Sequence, residues 1–158
     1  MKNITTKQYK TNEFTAKILG FTGLIPFIIA LITLNFHESK IQVLEIIVVY
    51  GYTITAFLGG IYWGVGLNIK IGAKKYFFIS TMPSISVLIS LLFPLSLISK
   101  IIYLICVLNL FLYLEFSFLQ TFKLPKWFLF LRIKLNLFLT LLLIMIVLSA
   151  TYQFNLLN

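Results

Sequence analysis

Glu115 is the residue of this chain best placed to do chemistry. It lies inside a long apolar run, roughly four residues short of that run's end, which is about 6 Å of helix rise. A charge at mid-bilayer costs roughly 2.5–3.5 kcal/mol on insertion scales, and less near the interface. An intramembrane carboxylate is therefore a candidate site: it can titrate a proton, hold a ligand, or pair with a cation. A cation is available in Arg132, the one arginine among 13 basic residues. Arg132, Asn136 and Thr140 recur every four residues and so form one polar stripe along a helix. Such a stripe should face protein rather than lipid. The expectation is that Glu115 pairs with Arg132 between two helices. The pair then either locks a helical hairpin or forms a proton-titratable or ligand-binding site.

Other reactive side chains offer less. Ser80, Ser84, Ser86 and Ser90 surround Pro83, but a serine nucleophile needs a base and none is visible nearby. Their hydroxyls suit bonding to carbonyls freed by the proline. Asn109 suits an interhelical hydrogen bond. A lone Cys106 excludes an internal disulfide and reads as a small buried hydrophobe. His37 is the only histidine, so no transition-metal site of the usual kind can be assembled. No Walker A, zincin or Rossmann pattern is present, so no catalytic residue, cofactor or metal is expected.

The elements that hold these residues follow from composition. The chain has 158 residues, 60% of them hydrophobic and 11% charged, with a mean hydropathy of +1.02. Soluble domains are roughly half apolar and a quarter charged, so lipid must solvate much of this surface. Five apolar runs have the ~20-residue length that crosses a ~30 Å hydrocarbon layer, near residues 16–36, 43–67, 77–97, 101–119 and 128–152. Continuous rather than alternating apolarity selects helices over a barrel. The fold class is thus all-α, an integral membrane bundle of five transmembrane helices in one domain over 16–152. A basic segment, 1–15, precedes it and a short tail, 153–158, follows. The first run is too long for a usual signal-peptide core and lacks a small-residue cleavage site, so an uncleaved helix is expected.

The net charge of +9 does not point to nucleic acid, because the lysines sit between apolar runs. Lys2, Lys7, Lys10, Lys17, Lys70, Lys74, Lys75, Lys123, Lys126, Arg132 and Lys134 fall on one side of five spans. Only Lys40 and Lys100 fall on the other. The positive-inside rule then puts the N-terminus inside and the C-terminus outside. Trp63 and Trp127 should sit as anchors at the inner interface, with Tyr152 at the outer one. Glu13, Glu38 and Glu45 read as solvated. Scarce alanine beside abundant Lys, Asn, Ile and Phe is the bias of an AT-rich bacterial or organellar coding sequence.

The stretch Tyr50–Gly66, YGYTITAFLGGIYWGVG, packs five glycines and five aromatics into 17 residues. Glycine inside a helix costs about 1 kcal/mol against alanine, so a close neighbour is expected. Ala56, Gly60 and Gly64 share a face, with Gly59 beside them, and small-xxx-small spacing lets membrane helices approach closely. The first run is interrupted by Gly20, Gly23 and Pro26, which gives a second close-packing face. The small face of the second span is expected to pack on the first span or on a partner protein.

Four local patterns carry a family resemblance: LGFTGLIPF over 19–27, Y-x6-FLGGIYWG over 50–64, S-x-x-PS over 80–84 and LPKW-x3-LR-x2-L over 124–135. Together they resemble a small multi-span family of unknown function that includes the animal mitochondrial "transmembrane protein sixty-nine" and many proteobacterial proteins. That family often has His where this chain has Tyr62, Trp near Leu88 and Thr at Asn136. It tends to carry an acidic residue before the Pro-x-Trp element, which Glu115 matches in kind. The Tyr at position 62 tells against any role requiring imidazole. The resemblance implies an inner-membrane protein and supplies no activity, substrate or cofactor.

The function expected from these features is non-enzymatic. The chain reads as a small inner-membrane protein, bacterial or mitochondrial, that packs within lipid onto other membrane-protein subunits. An accessory subunit or assembly factor of a respiratory complex fits its size. The runner-up is a small transporter or channel-like protein in which Glu115 titrates.

Overall fold

A computed structural model describes residues 2–36, 40–69, 72–119 and 125–155. His37, Glu38, Lys70 and Lys123 lie outside the described residues, as do the side chains of Lys2, Lys7 and Lys10. The regular structure of the described residues is all helical: α1 (Lys2–Thr22), α2 (Ile25–Phe36), α3 (Lys40–Leu67), α4 (Lys74–Leu92), α5 (Leu97–Leu119) and α6 (Lys126–Asn155). Five helical segments are long and apolar enough to cross a membrane, with α1 and α2 together supplying the first.

The break between α1 and α2 follows from Pro26. Proline has no N–H and is tolerated only in a helix's first turn. The Phe27 amide reaches back three residues to the Leu24 carbonyl, at 3.1 Å. That leaves the Gly23 carbonyl without its helical donor, and the Tyr50 hydroxyl of α3 supplies one at 3.1 Å. The later part of α1 and the whole of α2 therefore act as one span, Thr11–Phe36, stapled to α3 at the break.

The third span ends earlier than a reading to residue 97 expects, and the fourth begins earlier than 101. Pro94 is the reason, since it drives the residue before it out of the helical region. Phe93 is extended, at φ −88° and ψ 136°. The hydroxyl of Ser96 then accepts the Ser99 amide at 3.2 Å, an N-cap that starts α5. Gly72 turns the chain between α3 and α4 at φ +82°, a conformation that favours glycine.

Contacts along the helices fix their directions. Gly66 meets Phe77, Gly59 meets Ser80 and the Tyr52 hydroxyl meets that of Ser90, so α3 and α4 are antiparallel. Gly20 meets Leu135, and Ser149 donates to Asn35 at 3.3 Å, so the first span and α6 are parallel. Phe27, Leu34, Leu44, Ile47, Leu104, Leu108, Leu143 and Ile146 join α2, α3, α5 and α6 in one core. Ile46, Val49, Phe57, Phe78, Leu92 and Leu148 point outward. A belt of outward apolar side chains this large needs lipid around it.

Candidate functional site

The most polar part of the bundle is the seam between α5 and α6. Helical spacing puts Leu108, Phe111 and Glu115 on the buried side of α5, and Leu131, Asn136 and Leu139 on the buried side of α6. Glu115 is 1% exposed. Arg132 Nε donates to both carboxylate oxygens, at 3.3 and 3.2 Å, and Nη2 donates to Oε2 at 3.0 Å. A forked, charge-assisted pair of this kind is the arrangement in which a buried carboxylate is tolerated. The pair contributes no net charge to the seam.

One helical turn further along α6, Asn136 Nδ2 donates to Asn109 Oδ1 at 2.9 Å. Asn109 Nδ2 in turn donates to the Thr140 hydroxyl at 3.0 Å and to the Ile105 carbonyl at 2.8 Å. The polar stripe of α6 and the lone asparagine of α5 are thus two halves of one network. Tyr62 of α3 lies within electrostatic reach of Glu115 and Arg132. It is 2% exposed, and its hydroxyl has no partner among the described residues.

The remaining sequence candidates divide. Ser80 donates to the Phe77 carbonyl, Ser86 donates to the Pro83 carbonyl, and Ser90 pairs with Tyr52. Tyr103 of α5 donates to the Ser86 carbonyl at 2.9 Å. Ser84 is exposed. Cys106 is exposed rather than buried, because it points away from the α5 face that carries Leu104, Val107 and Leu108. Trp63 is half-exposed near the end of α3 and stands edge-on to Phe77 with ring centres 5.0 Å apart. Trp127 begins α6 and packs edge-on to Phe128. No group of three His, Cys, Asp or Glu side chains able to hold a metal occurs among the described residues.

The glycines of α3 divide between two faces. Gly51, Gly59 and Gly66, not Gly60 and Gly64, are the close-packed positions of α3. A Cβ on Gly59 would collide with the Ser80 carbonyl oxygen, and one on Gly51 with the Leu104 side chain. One on Gly66 would lie 3.0 Å from the Phe77 ring. Gly60 and Gly64 meet nothing within 4 Å of an added Cβ. Gly60, with Ala56 and Trp63, lines a groove of about 440 Å³ whose other wall is Thr81, Ser84, Ile85 and Leu88 of α4, and Gly64 lies one turn further along the same helical face. The first span does not fill it. Gly20 packs on Leu135 of α6, where a Cβ would lie 2.7 Å from Cδ1, and Gly23 stands beside the Tyr50 hydroxyl. Thr55 and Tyr62, both buried, fall on the Gly51–Gly59–Gly66 face.

Five membrane-length helices around a buried ion pair define an integral membrane protein. The chain belongs to the family described as "Protein of unknown function (DUF3429)", whose model matches residues 12–148. It is 32% identical over 130 residues to "Transmembrane protein 69" of Xenopus tropicalis, a match covering 80% of this chain and 51% of that relative. The chain therefore spans about half the length of the curated relative it matches. No solved structure matches it.

Proposed function

We propose that this is a non-enzymatic packing protein of an inner membrane, bacterial or mitochondrial, that seats a transmembrane helix of a partner subunit in the α3–α4 groove. An accessory or assembly role in a larger, respiratory complex fits that reading. The observation that carries it is the open face of Gly60 and Gly64. Each glycine costs helix stability, and within the chain neither makes a close approach that repays it. Small residues spaced by four let a second backbone come near, and Ser84 at the rim offers a hydroxyl for an interhelical hydrogen bond.

Support for packing over transport comes from how the polar groups are used. Glu115 is taken up by Arg132, and Ser80, Ser86 and Ser90 bond to carbonyls and to Tyr52. The lysine asymmetry supports an N-terminus inside. Native gels of membranes solubilised in mild detergent test the reading. The chain should migrate in a large complex, and Gly60→Leu/Gly64→Leu should release it as a folded monomer. A wild-type chain that runs alone, or a complex that survives the double substitution, would overturn it.

A further inference from the structure

A second cavity, of about 430 Å³, lies on the opposite side of α3, between the first span, α3 and α6. That volume is within the ~300–1,000 Å³ range of small-molecule sites. Its mouth is lined by Leu19 and Phe57, both well exposed on the lipid-facing surface. Its walls are otherwise apolar, apart from Tyr50, Arg132 and Asn136. The Tyr50 hydroxyl already serves the Gly23 carbonyl. Arg132 is different. Glu115 occupies its Nε–H and one Nη2–H, and for Nη1 the described residues supply no acceptor. Asn136 likewise spends one amide N–H on Asn109, and guanidinium and amide groups carry more donors than these bonds use.

We propose that this cavity binds a neutral, carbonyl-bearing amphiphile from the bilayer, with its apolar chain along Leu19, Ile54 and Phe57 and its carbonyl oxygen accepting from Arg132 and Asn136. The cavity wall offers N–H donors in apolar surroundings, and such donors gain most from an acceptor. Glu115 has already neutralised the guanidinium. An anionic head would therefore bring an uncompensated charge into a low-dielectric site, whereas a neutral carbonyl would not. Two classes of molecule present this chemistry, acyl esters and tailed quinones.

The test uses the full chain, purified and delipidated in detergent, with methyl palmitate, a decyl-substituted benzoquinone and palmitate as probes. Native mass spectrometry and the thermal unfolding midpoint are read together. At least one neutral probe should form a 1:1 adduct and raise the midpoint. The probe that does so identifies the class, and palmitate at neutral pH should bind about tenfold more weakly. Arg132→Lys, which keeps the charge but loses the fork, should weaken the neutral probe about tenfold, the scale of one hydrogen bond in a membrane interior. Ile54→Trp, which fills the cavity, should abolish the adduct, while the lipid-facing Leu148→Trp should retain it. If Ile54→Trp does not fold, a diazirine-bearing acyl ester or quinone decides by where it labels. Label on Leu19–Leu24 together with Leu135–Leu139 supports the site. Label confined to outward faces overturns it, as does failure of both neutral probes to bind, equal binding to Ile54→Trp, or palmitate binding as well as the neutral probes.

Discussion

Gly59 of α3 lies directly against the backbone carbonyl of Ser80 on α4, so closely that no Cβ fits between them. Backbone cannot move aside as a side chain can, so Gly59→Ala must push the two helices apart. Overpacking costs typically about 1–3 kcal/mol, and the upper end is expected here. Gly60→Ala, one residue on, meets nothing and removes glycine's helix penalty, so it should raise stability by up to about 1 kcal/mol. Thermal unfolding of the two variants in detergent checks the contrast. Equal effects would mean that the facing surfaces are wrongly assigned.

The Glu115–Arg132 pair should show strong coupling. Breaking a buried pair on one side leaves the other charge uncompensated, at about 3–5 kcal/mol. Glu115→Gln should therefore destabilise the chain by about that much, and Arg132→Gln by a similar amount. The double variant should cost clearly less than the sum, because no lone charge remains. A double-mutant cycle measures this, and additive losses would show that the two side chains do not depend on each other.

Tyr62 carries a buried hydroxyl with no partner among the described residues. Leaving such a donor unmade costs about 1–3 kcal/mol, so Tyr62→Phe should hold or raise the unfolding midpoint. A loss of more than about 1 kcal/mol would show that the hydroxyl has a partner, such as a buried water near the ion pair.

The five spans were legible because each is a continuous apolar run, and lipid admits few backbone arrangements. The facing of Arg132, Asn136 and Thr140 toward α5 was legible because three polar residues on one helical stripe must find partners. The glycine face was not. Residues 51, 55, 59, 62 and 66 and residues 56, 60 and 64 both satisfy helical spacing, and spacing alone does not say which face meets a neighbour in the same chain. Residue type does not decide it either, since Thr55 falls on the first face and Thr53 on the second. The α3–α6 cavity could not be read either, because it arises where Gly20, Gly23 and Pro26 set the path of the first span between two distant segments.

The asparagine network predicts a graded series. Asn109 bonds Ile105, Thr140 and Asn136, whereas Thr140 receives a single bond from it. Interhelical hydrogen bonds in membranes average about 0.6 kcal/mol and reach about 1.7. Thr140→Val should thus cost least, and Asn136→Leu more, because it strands the Asn109 carbonyl oxygen. Asn109→Leu strands the amide of buried Asn136 and should cost at least as much. Replacing both asparagines with leucine removes the stranded partners as well, so the double variant should be more stable than the sum of the singles implies. Unfolding midpoints of the four proteins measure the series. A double variant as damaged as that sum would mean that Asn109 and Asn136 act independently rather than through each other.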